Sequence, residues 1–360
     1  MKKEFKIAVL PGDGVGPEVI DAAISFLKKI ANKFQLRFSF SYADFGTAAI
    51  EKNGNPLPNE TLNLCKNSDA VLFGAIGHPK YDNNPAAKIR PEQGLLKLRK
   101  ALELFTNLRP VKVYTQLLSS SPIKNERITN VDLIVVRELT GGIYFGEPRL
   151  RKNNNTTAID TSIYTKNEII RVAKFAFELA LTRKKKVTSV DKANVLETSR
   201  LWRETVAEIA KDYPEIILEH MFVDNAAMQL IKKPSEFDVI LTENMFGDIL
   251  TDEASVIAGS IGLLPSASIG DKHALYEPIH GAYYRAAGQN IANPIGTILS
   301  AAMMLKISFK LEKEAEAIEN TIEKVLSEGY RTKDIIDENT ENNKILGTKE
   351  MGEKIYEFIK

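Results

Sequence analysis

Phe237-Asp-Val-Ile-Leu241-Thr-Glu-Asn-Met-Phe-Gly-Asp248-Ile-Leu-Thr-Asp252-Glu-Ala-Ser255 changes its period part-way along. Residues 237–241 have the length and apolar content of a buried strand, and the residues beyond Leu241 have the spacing of a helix. A strand that passes directly into a helix is the repeating unit of an α/β protein. The helix would also carry Asp248 and Asp252 on one face, four residues apart. Two like charges that close repel, so a cation makes the arrangement favourable. Hard oxygen ligands with room for water and substrate suit Mg²⁺ or Mn²⁺. The bland reading is a solvated acidic helix face, since carboxylates are mostly exposed.

The same alternation continues in both directions. Strands are expected over 6–10, 36–42, 70–76, 133–137, 186–191, 216–221 and 237–241, and helices over 17–33, 95–104, 166–182, 201–211 and 293–309. Pro17 suits the first turn of its helix, where a missing N–H costs nothing. Residues 311–360 are rich in Glu and Lys at helical spacing and read as a solvated helical layer. Residues 141–164 break the pattern with two β-prone runs around an Asn-rich turn. That is a two-stranded ribbon, which needs something to pack on, such as another subunit.

At 360 residues the chain has room for two domains, or for one large α/β unit with an extension. Hydrophobic content of 44% and charged content of 26% are ordinary for a globular protein. A formal net charge of +1 supplies no general attraction for nucleic acid or an anionic membrane. Cys65 is the single cysteine, which excludes an internal disulfide or a thiolate metal cluster. It falls in an expected helix over 58–66 as a small buried residue. The apolar run after Met1 is too short for a signal peptide, and no stretch reaches membrane-span length, so the expected location is the cytoplasm.

Three further constellations carry chemistry. Pro11-Gly-Asp-Gly-Val-Gly-Pro-Glu18 joins the first strand to a helix, but its spacing is not the G-x-G-x-x-G of a dinucleotide fold. It is either a tight turn that needs glycine dihedrals or a ligand-lining loop. Arg99, Arg109 and Arg137 are candidates for bidentate binding of a dicarboxylate, each with the plain alternative of a surface ion pair. Tyr144 and Lys192 are candidate proton-transfer groups; Lys192 follows a strand end, where α/β enzymes place functional residues, and is otherwise an ordinary exposed lysine.

Taken together, these stretches resemble the β-decarboxylating dehydrogenases, the family of isocitrate, isopropylmalate, homoisocitrate and tartrate dehydrogenases. The resemblance runs from Leu10-Pro-Gly-Asp-Gly14 to beyond Ile291-Ala-Asn-Pro294, and Asn244-Met-Phe-Gly-Asp-Ile-Leu-Thr-Asp252 is similar to the family's specific metal-site signature. Glu92-Gln-Gly-Leu-Leu-Lys-Leu-Arg99 looks like the isopropylmalate version of the substrate segment. Isopropylmalate and isocitrate differ by an isopropyl group against a carboxymethyl group. Leu95 and Leu96 would accept the former, whereas a carboxylate against them would lose its water without compensation, and Glu92 would repel it.

The resemblance implies two parallel-sheet-containing domains with a central cleft and a β-ribbon arm. The first would be 1–105 plus 259–360, on the adenosine side of the cofactor. The second, 106–258, would carry the dimer interface and the arm over 141–164. It implies oxidative decarboxylation of 3-isopropylmalate to 4-methyl-2-oxopentanoate and CO₂ with reduction of NAD, a step of leucine biosynthesis. Arg99, Arg109, Arg137, Leu95, Leu96 and Asp224 would bind substrate. Asp224, from Phe222-Val-Asp-Asn225, would join Asp248 and Asp252 on Mg²⁺ or Mn²⁺. Tyr144 and Lys192 would move protons, and Glu92, Asn194, His280, Gly281, Arg285 and Asn293 would meet the cofactor. Lys192 and Asp224 would come from the neighbouring subunit, making a homodimer the minimal active unit.

One departure bears on the cofactor. The usual isopropylmalate loop reads roughly H-G-S-A-P-D-I-A-G-K-G-I-A-N-P, whereas this chain has His280-Gly-Ala-Tyr-Tyr-Arg285-Ala-Ala-Gly-Gln-Asn290-Ile-Ala-Asn-Pro294. The family's aspartate accepts bonds from ribose hydroxyls and repels a 2′-phosphate. Arg285 stands there, which cannot accept and could attract a phosphate. NAD through other ribose contacts is the expectation, with NADP the alternative; the NADP pattern pairs its cation with a tyrosine, and Ala286 follows here. A homoisocitrate or tartrate dehydrogenase is opposed by Leu95 and Leu96. A non-catalytic regulatory subunit is opposed by the presence of Tyr144, Lys192, Asp224, Asp248 and Asp252.

Overall fold

The apolar runs become strands and the amphipathic stretches helices, in two units. The structure is a computed structural model that describes residues 4–84 and 87–359. One unit comprises Met1–Glu103, Tyr114–Ser121 and Ala258–Lys360, the other Leu104–Val113 and Pro122–Ile257. Tyr114–Ser121 thus groups with the first unit, where the sequence expectation kept 106–258 together. Its anchors explain this: Ser119 bonds Asp337, and Ser120 donates to the Ile335 carbonyl at 3.0 Å.

Strands of the first unit run in the order Phe38–Tyr42, Phe5–Gly12, Ala70–Ala75, Ala274–Pro278, Pro265–Ile269. All neighbours are parallel except the last pair. Ala70–Ala75 is buried along its whole length, so it reads as a continuous apolar run rather than an alternating one. Helix Gly16–Phe34 follows the first strand with Pro17 in its first turn, and Ile295–Ile307 is buried on almost every side. Pro265–Ile269 and Ala274–Pro278 escaped the sequence reading because they bury Ser266, Ser268 and Glu277. The Ser300 hydroxyl serves this polar stretch: it accepts from Ser266 N at 3.3 Å and donates to the Glu277 carbonyl at 2.8 Å. The Glu- and Lys-rich C-terminal segment does form helices, Glu312–Ser327 and Thr348–Phe358. Each also buries one face, through Ile318, Ile322 and Val325 and through Met351 and Ile355.

Strands of the second unit run Thr106–Lys112, Asp132–Glu138, Val239–Thr242, Lys186–Asp191, Ile217–Phe222, again parallel except for one end pair. Helix Lys166–Leu181 starts with a capping box in which Thr165 and Glu168 satisfy each other's backbone N–H. The expected ribbon is present as Leu150–Lys152 against Thr157–Ile159, turned by Asn153, Asn154 and Asn155, all at positive φ, a region asparagine tolerates. The four parallel strands share a polarity. Arg137, Lys192, Asp224 and the helix Asn244–Ile257 therefore all emerge at or just beyond their carboxyl ends. Among the described residues no helix is long and apolar enough to cross a membrane.

Candidate active site

Arg137 organises the second unit's site from below. Its side chain is 3% exposed, and Nε and Nη2 donate to Asn244 Oδ1 at 3.1 and 2.9 Å while Nη1 pairs with Asp248. The arginine stem crosses helix Asn244–Ile257 where Gly247 lies; a Cβ there would fall 2.6 Å from Arg137 Cγ. The glycine of the Asn-Met-Phe-Gly-Asp motif is therefore the passage for an arginine stem. Arg109 is clamped by Asn107 Oδ1 at 2.8 Å and Thr251 Oγ1 at 2.6 Å, with Asp248 and Asp252 each 3.8 Å away. Tyr144 donates to Asp248 Oδ2 at 3.0 Å.

These contacts set the charges. Burial pushes the Asp248 carboxyl up, but the Arg137 and Arg109 charges outweigh it and hold it below the usual range. Asp252, one turn on, is raised, because burial exceeds the pull of Arg109 and Asp248 adds repulsion. The Tyr144 phenol is pushed up by burial and by the Asp248 charge, so it keeps its proton at neutral pH. Lys192 donates to Asp224 at 2.6 Å, and that bond holds the Asp224 carboxyl below its ordinary value.

Asp248 and Asp252 suit a hard divalent cation: oxygen donors on one helix face, with side chains 42% and 67% exposed. Among the described residues no three His, Cys, Asp or Glu side chains gather as a metal-binding group, so Asp224 does not join the pair within one chain. In the first unit Arg99 is buried and pairs with Glu277 at 2.8 Å, while its Nε has no partner. His280 likewise has a buried, unpartnered Nε2, its imidazole pushed toward neutrality by burial. Both are vacant donors or acceptors of the kind a ligand satisfies. Asn293, by contrast, is spoken for, accepting from Ile295 N at 3.0 Å and donating to Asp334 at 3.1 Å, and so acts as an anchor. Gly281, Arg285 and Asn194 are exposed; Glu92 and Leu96 are half-buried and Leu95 is buried.

The glycine-rich 11–18 segment proves to be a support. Asp13 is buried and accepts from Thr47 N at 2.8 Å and Gly77 N at 3.0 Å. Gly14 sits at φ 60°, and a Cβ on it would fall 1.9 Å from the Ala282 carbonyl oxygen. The turn therefore lies directly against the His280–Pro294 loop, and Val15 N donates to Ala282 O at 2.8 Å.

Comparison with known proteins gives the family. Residues 6–355 match the isocitrate/isopropylmalate dehydrogenase family model. The chain belongs to that family. Two curated members, both named 3-isopropylmalate dehydrogenase, come from Aquifex aeolicus (55% identity, 99% of this chain and 98% of the relative) and Clostridium acetobutylicum (57%, 98% and 99%). Among solved members, the isocitrate dehydrogenase of Methylococcus capsulatus superposes with a TM-score of 0.87 at 34% identity, covering 99% of each chain. A β-decarboxylating dehydrogenase of Thermococcus kodakarensis gives 0.79 at 35%, covering 99% and 96%.

Asn107, Thr251, Asn244 and Glu277 hold Arg109, Arg137 and Arg99, a role with no sign in the sequence, and Glu243 is a further residue of this kind. That last residue is buried at the start of the Asn244–Ile257 helix and accepts from Ser199 Oγ at 2.7 Å. Burial pushes its carboxyl up to about 7, with Asp191 and Glu138 adding repulsion. An unfolded glutamate loses its proton near ~4.3. Between that value and the folded one, the fold binds the extra proton, so this group lowers stability as pH rises, and the loss is complete above the folded value. Glu243→Gln is expected to raise Tm by roughly 2–4 °C at pH 8 and hardly at pH 5. Thermal scans at both pH values check this, and an equal gain at each would reject the ionisation cost as its source.

Proposed function

We propose that the chain catalyses the oxidative decarboxylation of 3-isopropylmalate to 4-methyl-2-oxopentanoate and CO₂, in leucine biosynthesis, with NAD as oxidant. The observation that carries this reading is the Arg137–Asp248–Tyr144–Arg109 cluster, joined to relatives at 55–57% identity that bear the 3-isopropylmalate dehydrogenase name.

Arg99, Arg109 and Arg137 take the malate carboxylates; the mounting of Arg109 on Asn107 and Thr251 and of Arg137 on Asn244 holds those two guanidinium groups in a fixed orientation. Leu95 and Leu96 receive the isopropyl group. Lys192 Nζ accepts the proton of the substrate hydroxyl, directly or through Asp224, and NAD would supply the acceptor for the hydride lost from the carbon bearing that hydroxyl. The β-keto acid then loses CO₂, and Tyr144, which holds its phenolic proton, helps deliver one to the carbon that has lost the carboxylate. Mg²⁺ or Mn²⁺ would be held by Asp248, Asp252 and the partner subunit's Asp224, supplying Lewis-acid stabilisation of negative charge on oxygen. A division of ligands between two copies is consistent with there being no three-ligand group among the described residues of one chain. It makes a homodimer the active unit, with the ribbon as its arm.

His280 and the loop to Pro294, with Glu92 and Asn194, take the cofactor; Arg285 lacks the acceptor that ribose hydroxyls require. The test is a substrate panel with Mg²⁺ and either cofactor. Expected is a kcat/KM for isopropylmalate at least about 10²-fold above isocitrate, and a higher value with NAD than with NADP. A tenfold or greater advantage of NADP would overturn the cofactor assignment, and preference for isocitrate would overturn the substrate.

A further inference from the structure

The His280–Pro294 loop has little structure of its own. Its one helical turn is Tyr284–Ala286, entered through Tyr283 at φ 39°. Its geometry is therefore imposed from outside, and the anchors lie at both ends. At the front, Val15 N donates to Ala282 O, Gly288 N donates to Glu18, and Val15 and Val19 pack against Ala286 and Ala292. At the back, a single residue makes most of the connections.

Asn290 sits at φ 56°. Its carbonyl accepts from Thr348 N at 3.1 Å, its Oδ1 from Lys349 N at 2.8 Å, and its Nδ2 donates to Glu350 Oε2 at 2.8 Å. Thr348 Oγ1 adds a bond to the Ala292 carbonyl at 2.6 Å. Helix Thr348–Phe358 begins at Gly347, which has no side chain to cap it. The first N–H groups of a helix have no partners of their own; here the loop supplies them, so Asn290 caps a helix from 58 positions upstream. The approach also requires Gly347, since a Cβ there would lie 2.3 Å from Asn290 Nδ2.

We propose that Asn290 is a positioning residue for the cofactor, locking the His280–Pro294 loop onto the C-terminal helix in the form that receives the adenosine end of the dinucleotide. This rests on the reading of that loop given under the proposed function. A loop already held in its bound form loses less freedom on binding, so the lock acts on nucleotide affinity and not on the chemical step.

Asn290→Gly tests it cleanly, because glycine keeps the left-handed backbone and deletes both side-chain bonds. Its KM for NAD and its Kd for NADH, read by nucleotide fluorescence, are expected to rise about tenfold, with kcat and the isopropylmalate KM within about twofold. Asn290→Asp should also weaken binding, by setting two carboxylates face to face. Adding Glu350→Gln restores a donor–acceptor pair in the reverse sense and should restore the NAD KM. An NAD KM for Asn290→Gly within twofold of the parent, or absence of rescue in the double variant, overturns the proposal while leaving the function standing. A parent chain that neither binds nucleotide nor turns over isopropylmalate overturns both.

Discussion

Lys192→Met is expected to lower kcat for isopropylmalate by about 10²–10⁴, the usual worth of a positioned general base. The KM should change little. Methionine has nearly the same length as the lysine stem and keeps its apolar packing, while Lys192 is already about three-quarters shielded beside Phe222. What the variant loses is the nitrogen 2.6 Å from Asp224. Steady-state rates with saturating substrate, NAD and Mg²⁺ measure this directly. If kcat stays within tenfold of the parent, Lys192 is not the base. The variant also releases Asp224, whose lowered carboxyl pKa derives chiefly from its bond to Lys192 and should return toward the ordinary range.

Asp248→Asn should be nearly as damaging, with kcat/KM down about 10³ or more and a weaker Mg²⁺ dependence. The physical argument is charge balance. Asp248 is the carboxylate shared by Arg137, Arg109 and Tyr144, and Arg137 is almost wholly buried. An amide at 248 leaves two guanidinium groups short of negative charge and removes a hard oxygen ligand. Retained Mg²⁺ affinity, by titration calorimetry, would remove Asp248 from the metal set. The two variants together also test the shared site. If the active site draws Lys192 from the partner, each mixed dimer has one site with both defects and one with none. Random reassociation makes half the dimers mixed, so about a quarter of parental activity should return on mixing the two inactive proteins. No recovery, with mixed dimers demonstrated by mass spectrometry, would place Lys192 and Asp248 in the same subunit's site.

What was legible in the sequence divides by distance along the chain. Asp248 and Asp252 could be placed on one helix face because helical spacing is a local property. The strands bearing Arg137 and Lys192 were readable for the same reason, being buried runs bounded by polar residues. Asn244 as the seat of Arg137 was not, because the pair is 107 positions apart and nothing local in either segment announces the other. Gly247 had no visible purpose until an arginine stem crossed it. The glycines near Pro11 could be read as a tight turn or as a ligand-lining loop, whereas Gly14 lies against Ala282, 268 residues further on, and Gly12 against Ala75. Pro265–Ile269 and Ala274–Pro278 were missed because buried serines and a glutamate masked their burial.

The chain order of the first unit has a consequence for synthesis. Ala70–Ala75 is an interior strand in the finished protein, flanked by Phe5–Gly12 and by Ala274–Pro278. A ribosome makes its second neighbour about two hundred residues later, some tens of seconds at low elongation rates. Throughout that interval one edge of a wholly apolar strand is uncovered, which is the kind of edge that recruits other chains. The second unit's wait is about half as long, since Asp132–Glu138 meets Val239–Thr242 about a hundred residues later and all five of its sheet strands are finished by Thr242. The nascent protein therefore has a completed half while its first-made half is still open, and the open edge is where a chaperone would be needed.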